Sequence, residues 1–573
     1  MRNKVILLLV FEIIFLNCWS QKTENQGSLY LEEHQFEKAV SFFRDKVKKT
    51  PEDIFSLIGF GDALLASNKT DSARILFQKA TALDSKNPFA LVGLGKVALL
   101  CNDRIGESEY FDRARRADKL NPEVYSAVAE GCINLSKKDT ITAGLFINQG
   151  LNINAKYAKL HLITGNLELL KKNWGLAANA YDRAIFFDPK SAIAWRNRGY
   201  IDLLSHTWKD ALTAFNKSIA LRKDQVLVYK YLGDLYYATA KYPEAEQAYK
   251  TYLSRTKPNS DEKERFAIVL FFNKKYTEAA ALLEEVMAAN HDESVLLRIR
   301  GYIAYETGDY QNALAYMKKF FTLHDPGKLI ALDYIYFAKI LLKTGDEILA
   351  IENYRKAVAL EPARTDLFQE IARLAAKNRM HREAAQFYAK MIESGADRLN
   401  ATFLIGKEYF FEGESWKARF DSLMELQNKN IIPFTDSLKV KENRRHFYLK
   451  ADSAFTVVGR MSPDYAGGFI WKGRMQSLLD PEASSSGAKE AYEKALEILL
   501  KGDQTRNRKS IVECYKYLGS WYFLAYEKLY NTNKQESAEM RSRCMEYFTK
   551  IKELDPSDKQ ALDVLHKMSA IQK

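Results

Sequence analysis

Large apolar side chains return along this chain in helical phase, each four residues after an alanine: Ala39 and Phe43, Ala73 and Phe77, Ala177 and Tyr181, Ala211 and Phe215, Ala245 and Tyr249, Ala279 and Leu283, Ala313 and Met317, Ala350 and Tyr354, Ala384 and Tyr388. Positions four apart share one face of an α-helix. Phe111, Tyr492 and Phe548 extend the large column. A column of small residues runs twelve positions ahead of the alanines, at Gly27, Gly61, Gly95, Ala129, Gly165, Gly199, Gly233, Ala267 and Gly301, and nearly every step is 34 residues. It continues through Ala338, Ala372, Gly406, Gly473 and Gly519, with extra residues at a few turns and junctions.

A fixed period of this length, carrying helical columns, predicts stacked pairs of antiparallel helices. The small residue of the first helix is expected to face the alanine of the second, so that the axes approach closely. The large residue then fills the space between its own pair and the next, and no pair buries its apolar face alone. Prolines at 51, 88, 122, 189, 258, 362, 463 and 556 fall near or after the ends of second helices, where a helix cannot continue. Thr307, Gly308 and Asp309 read as a turn within a pair, and Pro243 as a first-turn residue.

Tyr229, Leu232, Gly233, Tyr236, Ala245 and Tyr249 together resemble the tetratricopeptide repeat, as do Trp195, Gly199, Ala211 and Phe215 one repeat earlier and Tyr354, Ala357 and Pro362 in a later one. The resemblance covers roughly 21–556 and implies a right-handed, all-α solenoid of about 14 helical hairpins. A first array at 21–399 is expected to be followed by a second at 400–556, with a helix within 557–573 capping the end. Glu107 departs from the alanine column. Gly406 to Gly473 spans two periods, to be filled either by a degenerate repeat using Ala418 and Ala451 or by an insertion near 428–445. A second insertion, near 524–540, lengthens the last hairpin.

Residues 1–20 break the pattern. Arg2 and Lys4 precede an apolar run from Val5 to Leu16, interrupted by Glu12, and then come Cys18, Trp19 and Ser20. This reads as a secretory signal peptide cleaved after Ser20, with periplasmic or envelope-associated localisation. The alternative is a lipid anchor on Cys18, although Asn17 before it is larger than such a site prefers. No later stretch has the length and apolarity of a membrane span. Loss of Arg2, Lys4 and Glu12 takes the formal net charge from +12 to +11, a basic balance that favours acidic partners. Nucleic acid is not expected at an exported address. Cys101, Cys132, Cys514 and Cys544 form no metal-spaced set, and their sequence-near pairs leave both disulfides and buried thiols open.

No catalytic constellation is present in the sequence. Gly93, Gly95 and Ala98 satisfy a dinucleotide-binding string but follow no strand, and the histidines are scattered. No cofactor, metal or enzymatic activity is expected. The resemblance implies instead a protein-binding scaffold whose first helices line a concave groove, and it assigns that face to Arg196, Tyr200, Lys230, Tyr237, Phe271, Arg298, Tyr302, Tyr305, Tyr336, Lys339, Arg373, Lys407 and Phe410, with Arg474 and Lys516 beyond. Aromatic and cationic side chains so interleaved suit a peptide or protein with acidic and apolar segments. A glycan or anionic polymer on a basic groove is the alternative ligand. The lysine and asparagine clamp by which some relatives hold a terminal carboxylate is missing, because Asp62 and Asp234 stand where asparagine would be needed.

Overall fold

The computed structural model describes residues 26–288, 293–428 and 434–570, and every regular element among them is helical. The leader and the Cys18 position lie outside the described residues. Helices alternate as the period requires: Ile54–Ala66 with Thr70–Leu83, Pro88–Leu100 with Arg104–Ala117, Ala192–Leu204 with Trp208–Leu221, and so on along an α-solenoid. Two compact units divide at Glu293 and Ser294, within the stretch expected as one array.

The reversal inside each hairpin has a repeated backbone solution. The residue after the first helix adopts the left-handed region at His34, Asn68, Asn102, Lys172, His206, Ala240, Lys274 and Arg379, with φ between 56° and 64°, and Gly308 does so at 86°. Around Asn68 the Lys69 amide donates back to the Leu64 carbonyl at 2.8 Å and the Asn68 amide to Leu65 at 3.0 Å, so carbonyls that the helix end leaves without partners are satisfied. Some first helices are also capped at their starts, where Asp53 accepts from the Ser56 amide and Asn87 from the Ala90 amide.

The nearest neighbours of the small-residue glycines are the large side chains of the second helices, and at Gly301 the backbone of Ala313 also lies within 3.7 Å of where a Cβ would stand. A Cβ on Gly61, Gly199, Gly233 or Gly473 would lie 2.5–2.8 Å from atoms of Phe77, Phe215, Tyr249 or Tyr492, which are the large residues of the same hairpins. The reason is the antiparallel geometry. Gly199 and Phe215 are equidistant from the turn at Thr207, whereas Ala211, nearer the turn, packs in the cluster that holds Leu203. The first two large residues also reach forward: Phe77 lies against Gly61 of its own pair and Gly93 of the next, and Phe43 likewise against Gly27 and Gly59. Phe43, Phe77, Phe111, Tyr181 and Phe215 are fully buried as a result.

In the first unit successive first helices touch one another, as Ile54–Ala66 does Pro88–Leu100 and Ala192–Leu204 does Leu227–Ala238, while consecutive second helices make no comparable contact among the described residues. The stack therefore curves toward its first helices and puts them on its inner face. In the second unit, residues 398–461 hold two long packed helices, Arg398–Asn428 and Phe434–Met461, with Phe455 seated on Gly406. Residues 429–433, within the span expected to carry an insertion, are outside the described residues. Gln504–Leu529 and Lys534–Leu554 form the last hairpin, and helix Lys559–Ala570 covers it by burying Ala561 and Met568.

Candidate functional site

The inner face carries cations and aromatic rings, but most of its cations are already paired with carboxylates of neighbouring first helices. In the first unit Lys96 pairs with Asp62 at 3.1 Å, Lys159 with Glu123 at 2.6 Å, Lys230 with Glu262 at 2.7 Å and Arg265 with Asp234 at 3.0 Å. Buried or half-buried tyrosines donate to several of the same carboxylates. Tyr252 donates to Glu262 at 2.6 Å, and Tyr157 and Tyr249 donate to Glu123 and Asp234. Burial and the bond to Glu123 push the Tyr157 phenol up to about 12, so it remains a donor across the ordinary pH range. Burial alone would raise the Glu262 carboxyl; the bonds from Lys230 and Tyr252 outweigh it and hold the group below the usual carboxylate range.

The other expected groove residues of this unit differ in access. Arg196 is buried, its guanidinium 2.8 Å from Glu33 of the first hairpin. That burial removes it from the surface a partner meets while the first hairpin is in place. Phe271 is buried against Phe272 and Tyr276 and acts as packing. Tyr200 is half-buried with its ring 4.5 Å from that of Tyr231, and Tyr237 is exposed beside Tyr242 and Phe272.

The second unit gathers five of the expected residues. Arg298 and Tyr302 both engage Asp333, at 2.8 Å and 2.6 Å, and the fully buried Asp333 also accepts from the Ile330 amide at the start of its own helix. Tyr302 stacks on Tyr336 with centroids 4.1 Å apart, Tyr305 meets Tyr336 edge-on at 5.7 Å, and the Lys339 ammonium sits 5.3 Å from the Tyr336 ring. Tyr302 and Tyr336 are buried, whereas Tyr305 and Lys339 are half-exposed. The result is a rigid aromatic shelf with two accessible edges.

Arg373 is exposed and held by Glu370 on its own helix. Lys407 and Phe410 are half-exposed, and the Phe410 ring lies 5.1 Å from Trp471. Arg474 pairs with Glu513 at 2.6 Å and Lys516 with Asp558 at 2.5 Å. Lys339 lies near enough to Asp366 for its charge to help hold that carboxyl below the usual range, after the larger effect of Arg364. No group of His, Cys, Asp and Glu among the described residues has the geometry of a metal site. No described helix is long and apolar enough to cross a membrane.

Sequence reasoning missed Glu33 and Arg222, and it also missed the counter-ions. The counter-ions had a signal, since Glu262 and Asp333 stand about one period beyond Lys230 and Arg298.

Residues 205–261, 265–320 and 335–364 match sequence models described as the tetratricopeptide repeat. Over 190 residues the chain is 25% identical to a TPR repeat-containing protein of Methanocaldococcus jannaschii, covering 30% of this chain and 32% of that protein. The chain thus spans about a third of the length of that relative. Among solved structures it is similar to the C-terminal part of a TPR repeat-containing protein from Cytophaga hutchinsonii, at 24% identity and a TM-score of 0.33 over 53% of this chain and 99% of that one. It is similar also to the TPR domain of P58(IPK), at 19% identity and a TM-score of 0.27 over 72% of this chain and 98% of that one.

Proposed function

We propose that this chain, a tetratricopeptide-repeat protein, is a non-catalytic scaffold that captures a protein or peptide segment along the inner face of its first helices. The observation that carries the reading is the shelf of Tyr302, Tyr305, Tyr336 and Lys339, whose rings are fixed by stacking and by bonds to Asp333 and Glu306 before any partner arrives. Rings already immobilised lose little conformational entropy on binding, which favours their use as anchors. Lys339 and Lys407 supply charge for an acidic residue of the partner. The apolar run at Val5–Leu16 supports export, and with it capture in the cell envelope.

Binding of a glycan or anionic polymer by a basic groove is less favoured, because in-chain carboxylates already neutralise Lys96, Lys159, Lys230, Arg298, Arg474 and Lys516. The test is photocrosslinking from single positions in the full chain. Probes at Tyr237, Tyr305 and Lys407 should give discrete protein adducts that persist at high salt, and probes at the exposed Ile105 and Ile141 on second helices should not. Adducts equal on both faces, or adducts lost with modest salt, would remove the reading.

A further inference from the structure

Glu33 stands in the turn between the two helices of the first hairpin, yet its carboxylate is held by groups 163 to 194 residues further along the chain. One oxygen accepts from Arg196 Nη1 at 2.8 Å and Arg222 Nη2 at 3.0 Å, and the other from the backbone amides of Val226 and Leu227 at 2.7 Å and 2.9 Å. Those amides open helix Leu227–Ala238, where N–H groups lack helical partners and the peptide dipoles favour an anion. Two guanidiniums and two amides thus converge on one carboxylate that is 2% exposed.

The rest of this joint is polar and exposed. Glu32 pairs with Arg222 at 3.0 Å, Glu37 with Lys257 at 3.1 Å, and Lys38 donates to the Arg255 carbonyl at 3.0 Å. Such solvated pairs contribute little. The first hairpin is joined to the second, by contrast, through the buried Phe43 ring on Gly59. It is therefore fixed firmly to the second, and its buried tie to the sixth and seventh is the Glu33 carboxylate. Arg196 lies on the inner face, so the acidic turn occupies the groove itself.

We propose that Arg196, Arg222 and the Val226 and Leu227 amides form a recognition pocket for a carboxylate of an acidic peptide, filled in cis by Glu33, and that a partner enters by displacing the first hairpin. This rests on the reading of the groove as a peptide-binding surface. It adds the chemistry of the partner, which is a glutamate or aspartate next to apolar residues, as Glu33 follows Leu29, Tyr30 and Leu31. The first hairpin is then a built-in competitor that sets the threshold for capture.

The probe is a fluorescent peptide of residues 26–37, titrated by anisotropy into the full chain. Glu33→Lys places a cation against two guanidiniums and should expel the turn, so this variant should bind the peptide about tenfold or more tightly than the unaltered chain, whose pocket is occupied. A peptide carrying Glu33→Gln should bind poorly, and Arg196→Met added to Glu33→Lys should abolish the gain. A second variant, Glu32→Gln with Glu37→Gln and Lys38→Met, leaves the pocket intact and should give a smaller gain; it answers the question if Glu33→Lys does not fold. Equal affinity of the unaltered chain and both variants, or binding that survives Arg196→Met, would overturn the pocket. Groove crosslinks without peptide binding would remove the pocket and keep the scaffold. Peptide binding without groove crosslinks would do the reverse.

Discussion

Adding one methyl group to Gly93 tests the seam between hairpins, because the ring it would meet has nowhere to go. A Cβ there would lie 2.6 Å from Phe77 Cγ, an atom next to the backbone of its own helix, while the far end of the same ring is 2.5 Å from where a Cβ on Gly61 would stand. The ring is fully buried between them. Gly144, inside helix Thr140–Ile153, provides the control, since a Cβ there meets nothing within 4 Å. Both glycine-to-alanine changes gain about 1 kcal/mol of helix propensity, and only Gly93→Ala adds an overpacking cost of about 1–3 kcal/mol. The difference between the two variants isolates that cost. Solenoids unfold in parts, so global melts would blur it. Native-state hydrogen exchange resolves it: protection in Thr70–Leu83 should fall by up to about thirtyfold in Gly93→Ala, and protection in Thr140–Ile153 should rise about fivefold in Gly144→Ala. Phe77→Leu combined with Gly93→Ala should cost less than the sum of the two single changes by about 1 kcal/mol or more, because the smaller side chain leaves room for the methyl. Equal effects at Gly93 and Gly144, or strict additivity with Phe77→Leu, would refute the wedge.

Other positions give independent checks. Ala240→Gly and Lys274→Gly, at φ of 56° and 60°, should each raise stability by up to about 1 kcal/mol, read as a higher Tm, because only glycine adopts that backbone without strain. Burial pushes the Cys514 and Cys544 thiols up to about 12 and the Cys132 thiol higher still; these three should resist alkylation until the chain is denatured, whereas the exposed Cys101 should react, as peptide mass spectrometry would record. Glu262 has a folded pKa below its unfolded value, so its stabilisation is present above about pH 4.5 and is lost as pH falls through the folded value. Glu262→Gln should flatten the acid limb of a stability-versus-pH curve, and an unchanged limb would contradict the pairing with Lys230.

The period and the hairpins were legible because each depends on residues close in sequence. Gly233 and Tyr249 needed only their spacing to be placed on facing helices, where the ring is the glycine's nearest neighbour. Charge on the inner face was half legible. Lys230 and Arg298 were found by phase, but their neutralisation depends on a carboxylate one hairpin away, and only the stacked helices show that Glu262 and Asp333 reach them. The Glu33 contact could not be read at all. It joins hairpins five apart, and whether their surfaces meet depends on small rotations accumulated over every seam between them, which no local pattern encodes.

That contact also makes the first unit sensitive to copy number. An array sealed only by neighbour-to-neighbour packing could gain or lose a whole 34-residue period and still stack, since each seam repeats the same arrangement of paired helices. Glu33 finds its four donors only when the intervening hairpins bring the turn round to Arg196, so the closure works as a ruler. Duplicating or deleting one period between Ile54 and Phe187 would leave every seam intact and the ring unclosed. Selection on this stretch of the gene would then act on how many repeats it holds as well as on what they contain.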